Sequence, residues 1–265
     1  IEDFGDGTLS ANDCFRPVSR YFDRISRPEH ILAALPRAMQ VLTDPAECGP
    51  VTLAFCQDTQ AEAHDYPSVF FEPRVWAPRC PQPDPAEVTR AVAMIRAAER
   101  PVIIAGGGVH YAEAHNALAE FAETHCIPVV ETQAGKSALP WDHPLNFGPV
   151  GVTGGSAANT ICAEADLVIG VGTRFQDFTT GSWALFQNPK RRLISVNVQA
   201  YDAMKHGALP VCADALSALT ALGADLEGYR AEAPEARVKA QWFEAADAVT
   251  AAPAPDTNDL PTDMQ

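Results

Sequence analysis

The hydrophobic pattern of this chain changes character near residue 85. From there to about residue 225, short continuous apolar runs alternate with stretches of helical spacing. The first run, Pro101 to Ala105, is mostly β-branched and passes directly into Gly106, Gly107 and Gly108. A continuous apolar run that ends on glycine is the pattern of a strand buried on both faces of a parallel sheet. Similar runs occupy 127–131, 166–172, 193–198 and 209–212. Helical spacing falls between them. It is set by Val88, Val92 and Ile95 with Met94, by Ala114, Leu118, Phe121 and Ala122, by a stretch from Gly155 to Ala165, and by Leu216, Leu219 and Leu222. This alternation predicts an α/β fold with a doubly wound parallel sheet of Rossmann-like character. Residues 132–152 read as a long loop.

The N-terminal part reads differently. Residues 1–28 are polar and turn-rich. A helix pattern runs from Pro28 through Leu42, with Pro36 expected to weaken or bend it. Gly49 to Phe55 reads as a buried strand and Gln57 to Gln60 as the turn that ends it, an αβ unit too small to make a sheet alone. Six prolines from Pro67 to Pro85 read as an inter-domain linker. From about 226 the chain is rich in Ala, Glu and Pro, with a second linker at 251–255. The expected divisions are therefore 1–75, a linker at 76–84, a Rossmann-like domain at 85–228, and 229–265 as linker and the start of another element.

Composition narrows the function classes. With a formal net charge of −15, the chain lacks the basic surface that phosphate contacts require, so no nucleic-acid partner is expected. No apolar run approaches the roughly 18 residues that span a membrane, and the N-terminus is acidic where a signal peptide would be basic. The seven cysteines are scattered and form no C-x-x-C pair, which reads as reduced thiols in a cytoplasmic protein. The chain starts without Met in a loop-like stretch and ends without closing an element, which reads as a piece of a longer protein.

Candidate chemistry is sparse. The triple glycine at 106–108 lacks the third glycine of a dinucleotide fingerprint, so close helix–strand packing is the favoured reading over dinucleotide binding. Glu123 and Glu131 stand at the distance of a ribose-binding carboxylate. Gly172, Thr173 and Arg174 follow a strand at the edge where open α/β sheets bind ligands. Arg174 could meet a phosphate there and Thr173 supply a hydroxyl, or the stretch could be a turn with a surface arginine. Gly5, Asp6 and Gly7 read as a turn. His110 and His115 are five apart on one predicted helix and so do not share a face as a metal pair would. Asp142 and His143 could be polar ligand contacts, with a solvated loop the favoured reading, and Lys136 lacks the upstream glycine of a phosphate-binding loop.

Several stretches together resemble a known family. They are Asn12 to Ile25, Gln57 to Gln60, Gly135 to Ser137, His143 to Gly148 and Gly172 to Gly181, and they are similar to thiamine diphosphate-dependent enzymes of the acetolactate synthase type. Within that family they most resemble the branch that hydrolyses a cyclic 1,2-diketone in myo-inositol catabolism. The most specific stretches are Arg16 to Tyr21 and Gly172 to Phe178. Leu260 to Asp263 resembles the opening of the family's third domain.

The resemblance implies that 1–75 is the C-terminal half of a pyrimidine-binding domain and 85–228 the central Rossmann-like domain, with the first residues of a diphosphate-binding domain at the end. It implies thiamine diphosphate and Mg²⁺ for the full-length protein, with the catalytic Glu and the metal motif both outside this segment. No catalytic or metal-binding residue is therefore expected here. It further implies a small cyclic diketone as substrate and homo-oligomers of the full-length protein. Gly172, Thr173 and Arg174 match the positions where FAD-binding relatives touch the nucleotide, although FAD is not expected in this branch. One departure is Cys56, where the family is expected to carry Pro; a cost in loop rigidity is the expected consequence. An acetolactate synthase-like carboligase and a stand-alone nucleotide-binding module are the alternative readings.

Overall fold

The computed structural model describes residues 8–234 and 236–250. The turn expected at Gly5 to Gly7, the second linker at 251–255 and the stretch from Leu260 to Asp263 lie outside the described residues. The chain divides into two compact units, residues 1–79 and 80–265.

In the first unit, β1 (Tyr21–Ile25) pairs in parallel with β2 (Val51–Phe55), and α1 (Ile31–Thr43) connects them. The expectation of an αβ unit without a sheet is corrected by β1, which falls in a stretch that reads as polar turns. Asp23 and Arg24 interrupt its apolar character, and of its five residues only Ile25 is fully buried. Pro36 lies inside α1, which continues through it. The departure at Cys56 has a structural use: its N–H donates to Ile25 O at 3.2 Å, a bond that proline cannot make.

The second unit holds a six-stranded sheet. Its strands are β3 (Pro101–Ala105), β4 (Val129–Glu131), β5 (Asn146–Pro149), β6 (Leu167–Val171), β7 (Arg192–Val196) and β8 (Leu209–Val211). All pairings are parallel, in the order β5-β4-β3-β6-β7-β8. Strands are added outward on one side of β3 and then on the other, which is the doubly wound arrangement. Its topological switch point lies between β3 and β6.

Side chains alternate faithfully across this sheet. Ile103, Ala105, Leu167, Ile169, Val171, Ile194 and Val196 enter one core, with α2 (Pro85–Arg96), α4 (His115–His125) and α8 (Ala215–Asp225) above them. Val102, Ile104, Val130, Val168 and Leu193 enter the other, against α5 (Ser156–Glu164). Burial on both faces explains why the strands read as unbroken apolar runs. Each fully buried Ile or Val adds about 1.5–3 kcal/mol of transfer free energy.

Helix starts follow local chemistry. Asp84 caps α2 by accepting from Ala86 N at 2.7 Å, with Pro85 in the first turn. Asp214 caps α8 through Leu216 N and Ser217 N. Glu87 in the first turn of α2 accepts from Cys212 N at 2.8 Å and so ties that helix to the end of β8.

Three expectations need correction. The 132–152 loop contains β5, an edge strand hidden by its glycine and proline and by an irregular register against β4. Two short helices, α3 (Gly108–Tyr111) and α4, replace a single one after β3. The stretch from 229, read as linker, holds α9 (Ala236–Thr250), which packs on α5 and β5 through Val238 and Trp242. Its Trp242 Nε1 donates to Trp141 O at 3.0 Å, and Lys239 Nζ donates to the carbonyls of His143 and Asn146.

Candidate functional site

The sequence places its glycines at the ends of β3 and β6, and the fold brings these ends together at the switch point. Gly106 N donates to Val171 O at 2.9 Å and Gly108 N to Gly172 O at 3.0 Å. A Cβ on Gly106 would stand 2.7 Å from the Gly172 carbonyl carbon, and one on Gly108 would stand 2.5 Å from Gly172 Cα. Gly135, which follows β4, is equally crowded: its Cβ would be 2.7 Å from the Ala105 carbonyl carbon. Three loops thus meet backbone to backbone at the edge where such sheets bind ligands. The glycines serve this mutual approach, the packing reading that the missing third fingerprint glycine favours.

Each residue of the predicted ligand edge can now be placed. Gly172 has φ +63°, the left-handed region that favours glycine. Thr173 is buried; its carbonyl accepts from Asn197 Nδ2 at 3.2 Å. The Thr173 hydroxyl accepts from Phe175 N at 3.5 Å. Arg174 is exposed and makes no side-chain hydrogen bond or ion pair among the described residues. The next residue, Phe175, is turned inward at φ +49°, and its ring fills the space beside Gly170, where an added Cβ would lie 2.7 Å from Cε2. The structure therefore groups Gly172 with the triple glycine and leaves Arg174 alone at the rim.

Glu131 closes β4 but does not face a ribose site. It is buried, and Oε1 accepts from Leu139 N at 3.0 Å. Burial pushes its carboxyl above the usual range, while the Leu139 and Ser137 amides and Asn146 pull it back. Asn146 in turn donates to the carbonyls of Leu139 and Pro140 and accepts from Gly148 N. Together these groups fold the 135–148 stretch onto the sheet. Glu123, the other candidate carboxylate, pairs at the surface with His143 at 3.0 Å. His143 also accepts from Leu145 N, so it organises its own turn instead of lying free in solvent.

The histidine pair departs from expectation. The helix breaks between α3 and α4, with Glu113 at φ +51°, and this break brings His110 Nδ1 to 2.8 Å from His115 Nε2. His110 Nε2 meets Lys136 O at 3.0 Å. At such a separation one ring nitrogen of the pair carries a proton and the other accepts it. Helical spacing alone could not reveal the contact, because the break that makes it is local. No group of three or more His, Cys, Asp or Glu side chains suited to a metal ion occurs among the described residues. No helix among the described residues is long and apolar enough to cross a membrane.

A six-stranded doubly wound sheet with a closed, glycine-lined switch point belongs to many families, and comparison with known proteins selects one. The profile described as "Thiamine pyrophosphate enzyme, central domain" matches residues 88–222. The chain belongs to this family of thiamine diphosphate (thiamine pyrophosphate) enzymes, and the matched part is the six-stranded domain. Among its relatives are proteins named 3D-(3,5/4)-trihydroxycyclohexane-1,2-dione hydrolase from Bacillus cereus (strain AH820) and Bacillus thuringiensis (strain Al Hakam). Each is 52% identical to this chain over 227 residues. The match covers 86% of this chain and 35% of the relative, so the chain spans about a third of the length of these proteins.

Proposed function

We propose that this chain is part of a thiamine diphosphate-dependent hydrolase that opens the ring of trihydroxycyclohexane-1,2-dione by C–C cleavage in myo-inositol catabolism. The observation that carries the reading is the 52% identity over 227 residues to relatives named for that substrate. On this reading, residues 1–75 are the C-terminal half of the pyrimidine-binding domain and 76–84 a linker. Residues 85–228 are the central domain, and 229–265 lead to the diphosphate-binding domain, with α9 fastened to the central sheet on the way. The full-length protein works in the cytoplasm as a homo-oligomer on a small-molecule substrate, without nucleic acid or membrane.

Thiamine diphosphate, when bound, supplies the nucleophile and electron sink for the C–C cleavage. The described residues do not fit the diphosphate and its Mg²⁺: they offer no metal-ligating cluster, and the glycine loops contact one another. We assign cofactor and metal to the rest of the full-length protein and propose no catalytic role for the described residues. What these residues do is hold a rigid scaffold, with the 135–148 turn pinned by Glu131, Asn146 and Lys239. FAD is not expected on this reading, because the branch that the chain resembles is not expected to need it.

The assay for this reading uses the full-length protein with thiamine diphosphate and Mg²⁺. Ring opening of the trihydroxycyclohexane-1,2-dione to a deoxyglucuronic acid is expected, with no acetolactate formed from pyruvate. Acetolactate formation without ring opening would favour the carboligase. One observation favours a nucleotide-binding module as the second reading: Arg174, exposed and unpaired at the switch-point rim.

A further inference from the structure

At the opposite, N-terminal end of β7 and β8 lies a cleft of about 810 Å³. Its walls include Arg191, Arg192, Trp183 and His206, with Met94 of α2 and Leu209 of β8. The chain carries 34 acidic and 19 basic Lys and Arg side chains, yet no carboxylate lines this cleft. The nearby acidic groups Glu99, Glu164 and Asp166 line a neighbouring cleft, whose edge Arg192 shares. Asp166 accepts from Glu99 N and Arg100 N, and Glu164 pairs with Arg100 at 3.2 Å.

The two arginines are not matched by acceptors of the protein. Arg191 is exposed, and its guanidinium has no hydrogen bond or ion pair among the described residues. Arg192 makes a single long bond, from Nη2 to Met94 O at 3.4 Å. Most of the donors of two adjacent planar forks therefore remain available, the geometry that suits bidentate recognition of an oxyanion.

Part of the lining is held in an unusual backbone state. Ser182 and Trp183 have φ +51° and +71°, and His206 beside Trp183 has φ +59°. Such left-handed conformations in residues other than glycine cluster where the surrounding structure fixes a functional geometry. Here they bring the His206 ring against Trp183, with centroids 4.3 Å apart. Trp183 is backed in turn by Phe186 at 5.3 Å. The imidazole is thus fixed at the cleft by a packed cluster of tilted rings.

We infer that this cleft is a binding site for a small oxyanion, a phosphate- or carboxylate-bearing metabolite, held by Arg191 and Arg192 with His206 as a third contact. The rest of the chain is acidic and repels anions, but that repulsion is screened within about 8 Å at physiological salt, so short-range bidentate contacts decide. The site lies at the opposite end of the strands from the switch point, and all its lining residues belong to the second unit.

The test is isothermal titration of the whole chain at physiological ionic strength with inorganic phosphate and, separately, with citrate. The two arms distinguish a phosphate from a carboxylate source. Saturable binding of one anion per chain is expected, with an intrinsic fluorescence change that Trp183→Phe removes. Arg191→Gln should weaken binding about tenfold, the effect of losing a charge-assisted hydrogen bond. Arg191→Lys, which keeps the charge but not the fork, should recover only part of it. Because Arg191 has no partner to lose, its variants should keep the wild-type melting temperature. Absence of saturable binding by both anions, or equal affinity in wild type and Arg191→Gln, would overturn the assignment.

Discussion

Gly108 and Gly172 lie in mutual backbone contact across the switch point, joined by the bond from Gly108 N to Gly172 O at 3.0 Å. A Cβ on Gly172 would meet the Gly108 carbonyl carbon at 2.8 Å, and the Gly172 φ of +63° adds backbone strain for any other residue. Neither loop can retreat, since each is the direct continuation of a fully buried strand. Gly172→Ala should therefore destabilise the domain by about 2–4 kcal/mol. Gly108→Ala should cost a similar amount through the same contact. Gly207, also at positive φ but with open space around it, is the control: Gly207→Ala carries only the backbone strain. Denaturant melts of the three variants check the ranking.

Glu131 gives the domain a pH dependence of known sign. Its carboxyl is held above the ordinary 4.5 by burial, so the folded state binds more protons than the unfolded state above that pH. The stability it contributes is fully present below 4.5 and is lost as pH rises through its folded value. Glu131→Gln keeps an acceptor for Leu139 N without the charge. We expect stability measured from pH 4 to 8 to fall less steeply in the variant than in the wild type. A steeper fall would contradict this account of the turn.

Helix α9 depends on two side chains that reach the 141–148 turn. Trp242 lies against Gly148, where a Cβ would stand 2.5 Å from its ring, and Lys239 packs over Phe243 and Phe147. Trp242→Ala should weaken docking of the helix by about 2 kcal/mol, below the cost of a fully buried tryptophan. Hydrogen exchange should then accelerate over 236–250 while the strands of the sheet stay protected.

Lys239 makes this docking sensitive to pH in the opposite sense from Glu131. Burial lowers its ammonium to about 8 from an ordinary 10.5, with Asp142 pulling it back. The unfolded chain therefore binds more protons between those values, and stability from this group rises as pH climbs from about 8 to 10.5. Protection of the α9 amides, corrected for intrinsic exchange, should increase across that window and stay flat in Lys239→Met.

The legible parts of the fold were those where local pattern and burial agree. The strands β3, β6 and β7 are buried on both faces, so their apolar runs carry the signal without help from context. The strands β1 and β5 were hidden because one is interrupted by Asp23 and Arg24 and the other contains Gly148 and Pro149. Helix α9 was hidden by its alanines and charges; its burial comes from a few residues that meet a distant loop. At the candidate site the sequence located the glycines at both strand ends. That they touch each other follows from strand order, which no local pattern encodes. The contact of His110 with His115 and the arginine cleft near His206 likewise depend on breaks in regular backbone.

We propose that the switch point, closed by the mutual approach of its glycine loops, does not take a nucleotide. A thermal-shift measurement on this chain with FAD, NAD and ADP tests it most directly. The account predicts no change in melting temperature with any of the three. A clear, saturable upward shift that is lost on Arg174→Ala would contradict it and place a nucleotide at that edge.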